Sequence, residues 1–223
     1  MELSYVVRQI APRAGTIALD DPLWTSAQEL AISNFHPKSS DHHPKTRARL
    51  LHDQTNFYLR FDVDDRYVIA QSQNYQDMVC FDSCVEFFFR PAPGMGYFNL
   101  EINCGGTFLC YYIEDPRRTE NGFVKSTPVS PEHASRITID HSLPKTVFPE
   151  RREATTWQIG CRIPIRFFEP YVGPLGEPKT WRADGNLYKC ADHSSHPHWA
   201  SWAPIGEALN FHDPRYFKPI LFE

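Results

Sequence analysis

No apolar run in the 223 residues approaches the ~18–20 residues that a membrane-crossing helix needs. No basic block or arginine stripe is present either. The net charge is −4, from 23 Lys and Arg against 27 Asp and Glu, with the two signs interspersed. A membrane partner is therefore excluded for helices, and nucleic acid is not an expected partner. Met1 to Arg13 lack the charged segment and apolar run of a secretory signal. The expectation is a cytoplasmic protein, or a periplasmic or extracellular one whose signal has been removed. GxGxxG, phosphate-loop, GxSxG and HExxH patterns are all missing, which removes the common nucleotide, serine-hydrolase and zinc-protease signatures. The cysteines Cys80, Cys84, Cys104, Cys110, Cys161 and Cys190 form no CxxC pair, and the expectation is reduced, mostly buried thiols. Repeats, low-complexity tracts and composition breaks are absent, so residues 1–223 read as one domain.

Long helices are excluded by 19 prolines and by Gly/Asp clusters, whereas aromatic residues make up 14% of the chain. Short alternating segments dominate instead. Lys45–Leu51 turns Thr46, Ala48 and Leu50 one way, and Phe57–Val63 follows with Phe57, Leu59, Phe61 and Val63 inward. Ser83–Arg90 places Val85, Phe87 and Phe89 on one face; after the loop Pro91–Gly96, Tyr97–Asn103 sets Phe98, Leu100 and Ile102 against Tyr97, Asn99, Glu101 and Asn103. Cys104-Gly105-Gly106 turns into a strand over Thr107–Ile113. Asp115–Ser135 reads as a long polar excursion, Arg136–His141 and Trp157–Ile163 as strands, and Pro164–Tyr171 as a short helix. Tyr171–Tyr188 reads as loop, and Phe217–Phe222 as a closing edge strand. The pattern is all-β: a two-sheet antiparallel β-sandwich, immunoglobulin- or jelly-roll-like, with long loops and one short helix.

The outward residues of these strands suggest a polar surface holding Lys45, Arg47, Arg49, Tyr58, Arg60, Asp62, Glu86, Arg90, Tyr97, Asn99, Glu101 and Asn103. Carboxylates and amides bind hydroxyl groups, and arginine offers a planar fork of N–H donors, so this surface suits a sugar. Sugars also need an aromatic plane. Trp157 alternates with Ile159 and Cys161 and reads as core, as does Trp24, whereas Trp199 and Trp202 lie in a segment without strand pattern and are candidates for ligand contact. Histidines cluster over Asn34–Pro44 and Asp192–His198; His36, His42 and His198 are candidates for polar recognition, proton transfer or metal ligation, although no spacing matches a standard zinc pattern.

Two stretches carry a resemblance. Asn56–Asp65 followed by Asp82-Ser83-Cys84-Val85-Glu86-Phe87-Phe88-Phe89, and Tyr97-Phe98-Asn99-Leu100-Glu101-Ile102-Asn103 with its Gly-Gly, resemble the carbohydrate-binding module family 9-like proteins. Arg162-Ile163-Pro164 resembles that family's strand-to-helix corner. The resemblance implies a β-sandwich, often with bound calcium, whose founding members hold sugar ends between two tryptophans. Where those members carry a tryptophan before the Asp-Ser-Val-Glu strand, this chain has Cys80 and Phe81. Tyr75 or Phe81 is then the expected substitute, with Trp199 or Trp202 opposite. DOMON-type relatives of the fold bind haem, for which Met78 and Met95 are the available ligands.

Three readings follow. In the first, the protein binds a carbohydrate and does no chemistry, using Arg47, Arg49, Asn99, Asn103 and the loop aromatics. In the second, it is a glycoside hydrolase or uronate lyase on the same scaffold, with Glu86 and Glu101 as the carboxylate pair; adjacent, in-register strands would bring them to the ~5–5.5 Å of a retaining enzyme. In the third, the loops bind another protein. The sequence specifies no oligomeric state.

Overall fold

The computed structural model describes residues 3–120 and 122–223. Among them the chain forms β1 (Tyr5–Gln9), β2 (Leu30–Ile32), β3 (Asn34–Phe35), β4 (Lys45–His52), β5 (Asn56–Asp65), β6 (Val68–Ala70), β7 (Cys84–Arg90), β8 (Tyr97–Asn103), β9 (Phe108–Thr119), β10 (Gly122–Pro128), β11 (Thr138–His141), β12 (Val147–Arg151), β13 (Thr155–Pro164), β14 (Ala183–Cys190), β15 (Trp199–Ser201) and β16 (Lys218–Phe222). Two four-residue helices, α1 (Pro131–Ala134) and α2 (Glu169–Val172), interrupt them.

Strands β10-β9-β8-β7-β14 form the first sheet, and β14 shares its far edge between β16 and β15. Strands β4-β5-β13-β11 form the second, with β2 and β1 along β4. Between the sheets lies the main core. Phe57, Leu59, Phe61 and Val63 of β5, with Trp157 and Ile159 of β13, meet Val85, Phe87 and Phe89 of β7 and Phe98, Leu100 and Ile102 of β8. The period-2 alternation read from the sequence is thus the alternation of this sandwich. Rings stack across the gap, as between Phe57 and Phe87 at 5.5 Å.

β1 joins the two layers. Its first half, Tyr5 to Val7, pairs with β16, and its second half, Arg8 and Gln9, pairs with β4. Both pairings are parallel, which departs from the purely antiparallel expectation. The C-terminal strand is correspondingly not an edge: β16 lies between β14 and β1.

Three further expectations change. The excursion over residues 115–135 is largely a hairpin, with β9 running on to Thr119 and β10 returning. Beyond Ile113 this ribbon stands clear of the core, so neither face needs apolar residues. The loop assigned to Tyr171–Tyr188 ends in β14, a strand inside the sheet whose Asp184, Asn186 and Lys189 disguise it. Its Gly185 is required by packing, since a Cβ there would stand 2.2 Å from the Phe88 carbonyl oxygen. The Pro164–Tyr171 helix is a 3-10 turn over Ile165–Phe167 followed by α2, and α1 adds a second short helix. No helix among the described residues is long and apolar enough to cross a membrane.

Candidate functional site

The outer face of the first sheet carries an unusual row. Register pairs Glu86 of β7 with Glu101 of β8, with Tyr188 of β14 on one side and Leu109 of β9 on the other. The next row pairs Asn99 with Phe88 and with Tyr111. An open sheet face would leave these side chains wet, yet Glu86 is only 2% exposed, Asn99 3% and Glu101 6%. Loops fold over the face and pack two small apolar clusters on it. One is built on Phe88, Tyr97, Tyr188 and Phe217, the other on Val79, Cys84, Leu109 and Cys190.

Between these clusters a cleft of about 530 Å³ remains open. Glu86, Asn99 and Glu101 form its buried base, and Trp199, Tyr111, Phe123 and Phe211 supply aromatic surface. Exposed Arg118 and Met78 stand at its rim. The base is internally wired. Asn99 Nδ2 donates to Glu101 Oε1 at 2.8 Å, while Asn99 Oδ1 accepts from the Tyr111 backbone N–H at 2.8 Å. The Cys190 thiol donates to Glu86 Oε1 at 3.1 Å. Glu86 Oε2 is buried without a hydrogen-bond partner. Trp199 is oriented by its Nε1–H, which donates to Asp192 Oδ1 at 2.7 Å.

Burial, and then the charge of Glu101, pushes the Glu86 carboxyl well above the usual carboxylate range. Burial also raises Glu101, with the nearby Asp192 charge adding to it. Asp192 is raised by its own burial. Two carboxyls facing each other in a sheltered cleft hold protons more tightly than in water, and a protonated carboxyl donates as well as accepts. The site thus offers donors, acceptors and aromatic planes within one concavity, the usual make-up of a small-molecule site.

A second hollow of about 560 Å³, lined by His52, Arg166, Glu169 and Lys179 among others, has no Phe, Tyr or Trp in its lining. It lacks the stacking surface that the first cleft provides.

The structure divides the residues singled out from sequence. Glu86, Glu101, Asn99 and Trp199 meet in the cleft. The single polar surface expected from strand alternation is in fact two, on opposite sides of the sandwich, because β4 and β5 belong to the second sheet and β7 and β8 to the first. Arg47 and Arg49 consequently lie away from the cleft. Arg47 pairs with Asp64 at 3.1 Å, and Arg49 with Asp62 at 3.0 Å and with Glu29. Asn103 is fully buried and its amide is saturated: it donates to the Ser72 carbonyl and to Asp82 and accepts from Gly105 and Thr107. It holds the Gly105-Gly106 turn, where Gly106 has φ +81°. Trp202 is a core side chain set edge-on to Tyr5. The Tyr75 hydroxyl donates to the Val129 carbonyl at 2.7 Å, and its ring packs against the main core. Phe81 stacks on His193 outside the cleft lining.

The histidines also have other partners. His36 Nε2 lies 3.0 Å from the Glu207 carbonyl, tying two loops together. His42 and His198 join a buried polar cluster at one end of the sandwich. His42 Nε2 is 2.7 Å from Asp65 Oδ1, and the Trp157 indole N–H donates to Asp65 Oδ2 at 3.1 Å. Lys189, which points inward from β14, lies 3.5 Å from Asp65 and donates to His198 Nε2 at 2.7 Å. Burial, and then the Lys189 charge, brings His198 down to about 3, so its ring is neutral and accepts that bond.

Calcium takes about 6–8 oxygen ligands, and the buried aspartates do not fit it. Asp65 is held by Lys189, Asp82 accepts from Gln71 N, Ser72 N and Asn103, and Asp53 accepts from Thr55, Asn56 and Tyr58. Met78 lies at the cleft rim, whereas Met95 belongs to the β7–β8 loop outside its lining.

Sequence reasoning passed over Arg118, Tyr111, Cys190 and Asp192. A signal for Tyr111 was present, because Leu109, Tyr111 and Ile113 alternate on one face of β9. Arg118 sat in the stretch read as an excursion, and Cys190 just beyond one read as loop.

Comparison with known proteins agrees with this architecture. A crystal structure of a proposed carbohydrate-binding protein from Bacteroides uniformis matches with a TM-score of 0.87 and 27% identity over 100% of both chains. A carbohydrate-binding module family 9 from Caldicellulosiruptor kristjanssonii in complex with glucose matches with a TM-score of 0.59 and 12% identity, covering 99% of this chain and 96% of that one. A carbohydrate-binding module family 9 from the same organism in complex with cellotriose gives 0.60 and 13%, covering 99% and 94%. These last two are likenesses of fold. No curated protein matches. The model of carbohydrate-binding family 9 matches residues 20–222, nearly the whole length, and the chain belongs to that family.

Proposed function

We propose that this protein binds a carbohydrate in the cleft on the outer face of the first sheet. One observation carries the reading: a buried row of Glu86, Glu101 and Asn99 faces an aromatic-walled opening. Hydroxyl groups of a sugar take the carboxyls and the amide, and the apolar C–H face of the ring lies on Trp199 or Tyr111. At about 530 Å³ the cleft is within the ordinary range for a small ligand. The family relatives that carry glucose and cellotriose support the same class of ligand.

The test is calorimetry against a panel of neutral and uronate mono- and oligosaccharides, with product analysis on the same mixtures. Saturable heat with the sugar recovered intact, lost in Trp199→Ala and in Glu101→Gln, is the expected result. A folded protein that gives no heat across the panel rejects it.

A second reading is favoured by the register alone. Side chains directly opposite on antiparallel strands have Cβ atoms about 4.5–5.5 Å apart, which overlaps the ~5–5.5 Å carboxyl separation of retaining glycosidases. Glu86 and Glu101 are such a pair. Hydrolysis would release a shortened sugar, and Glu86→Gln or Glu101→Gln would each abolish that release while leaving the fold intact.

A further inference from the structure

We infer that Cys84, Cys190 and Glu86 form a binding site for a thiophilic divalent cation of the zinc class at the base of the cleft. Cys84 and Cys190 are direct register partners on β7 and β14, and Glu86 is two residues along β7 on the same face. The two sulfurs and a Glu86 carboxylate oxygen all lie within 4.8 Å of one another. One edge of this triangle, Cys190 Sγ to Glu86 Oε1, is already 3.1 Å. Zinc–sulfur bonds of about 2.3 Å and zinc–oxygen bonds of about 2.0–2.2 Å place tetrahedral ligand atoms roughly 3.5–3.8 Å apart. Side-chain rotation of a few tenths of an ångström to about an ångström closes the set around an ion.

The second observation is independent of the sulfurs. Glu86 Oε2 is buried and has no hydrogen-bond partner, although its residue is only 2% exposed. An unpartnered buried carboxyl oxygen is costly, and a cation beside it removes that cost. Lys189 acts on the Glu86 carboxyl through its charge alone, because its ammonium is held on the inward side of β14 by His198, the Cys190 carbonyl and Asp65. Glu101 and Asp192 stand nearby and are acidic, and the Arg118 of the same cleft is an exposed rim residue.

Chemistry decides the kind of ion. Two sulfurs and one carboxylate are a soft-leaning set that selects zinc-class metals and discriminates against calcium and magnesium, which take oxygen. Binding displaces both thiol protons to solvent, so apparent affinity rises with pH. Three protein ligands leave a fourth position open. Glu86 and Cys190 both line the cleft, so that position faces whatever occupies it.

The test uses the full-length chain, reduced and stripped with a chelator, and cadmium alone, so that its outcome is independent of any sugar. Cadmium titration is expected to give one equivalent per chain and an ultraviolet thiolate-to-metal charge-transfer band sized for two sulfurs. Cys84→Ser and Cys190→Ser each halve the band, and Glu86→Gln keeps it while weakening affinity at least about tenfold. Cadmium NMR on the wild-type chain needs no variant: the resonance is expected to report two sulfur ligands. A folded, reduced wild-type chain that takes up no cadmium overturns the proposal. So does a band unchanged in both serine variants, or a resonance that reports oxygen ligands only.

Discussion

At the scale of single residues, the buried polar cluster sets the clearest test. Lys189 is fully buried on the inward face of β14, where its register partner Val85 belongs to the core. Its ammonium is satisfied by His198, by the Cys190 carbonyl and by Asp65. Removing one partner of a buried ion pair strands the other, which typically costs about 3–5 kcal/mol. Lys189→Met is therefore expected to lower unfolding free energy by about that amount, read from urea denaturation. Adding Asp65→Asn to it is expected to recover part of the loss, so that in the double-mutant cycle the two substitutions together cost less than the sum of each alone.

Two buried histidines fix a pH dependence, His198 in this cluster and His212 beside Tyr97 in the cleft lining. His198 is lowered to about 3 by burial first, and His212 to about 3 by burial and then by Arg118. In the unfolded chain a histidine titrates near 6.5, well above the folded value. As pH falls below that value the unfolded chain takes up protons first, so stability is full above about pH 6.5 and declines toward the folded value. Each such histidine contributes a slope of up to about 1.4 kcal/mol per pH unit. His198→Gln is expected to flatten the acid limb of a stability–pH curve relative to wild type. Glu86 and Glu101 act in the other direction. Their folded values are raised, so the stability they contribute is present at acid pH and is lost as pH rises through those values. Glu101→Gln should therefore narrow the alkaline loss.

Among the elements, the β9–β10 hairpin is the part most concerned with the cleft and least with the core. Arg118 and Phe123 are register partners near its tip, with the guanidinium 3.8 Å from the ring centroid, and both line the cleft. Asp115 and Lys125 are register partners further back. Replacing residues 116–124 with an Asn-Gly turn joins that pair by a favourable two-residue connection. Thermal unfolding should stay near wild type, while sugar affinity measured by calorimetry falls at least about tenfold, or ~1.4 kcal/mol.

This hairpin also shows why legibility ran out where it did. Strands with one face in the apolar core and polar residues on the other print their alternation in the sequence: β5, β7 and β8 were read almost to the residue, and Glu86 and Glu101 came with them. A ribbon wet on both faces prints nothing, so Arg118 was hidden. β14 was hidden for the opposite reason. It carries a lysine where an apolar residue belongs, and that residue makes sense only beside Asp65, more than a hundred positions earlier in the chain. Sheet membership was illegible for a third reason: alternation says which residues share a strand face, but not which strands share a sheet. Arg47 and Glu86 fit one pattern and stand on opposite sides of the molecule.

For the molecule as a whole, integrity rests on the pairing of its first and last strands. β16 sits between β14 and β1, with Ile220 fully buried, and the Glu223 backbone N–H donates to Val7. Deleting residues 218–223 removes the only partner of the first half of β1 among the described pairings. The expected outcome is loss of the cooperative unfolding transition, seen by circular dichroism, rather than a modest fall in midpoint. The same deletion on a chain with an ordinary edge strand would be far milder.

The parallel orientation of that pair has a mechanical consequence. Tyr5 opens β1 opposite Ile220, and Phe222 closes β16 opposite Val7. A pull that separates the two chain ends draws these strands past each other lengthwise. Every bond between them is then strained at once, instead of breaking in turn as in an unzipping hairpin. Force applied between the two ends of the chain therefore loads this pair in its most resistant direction.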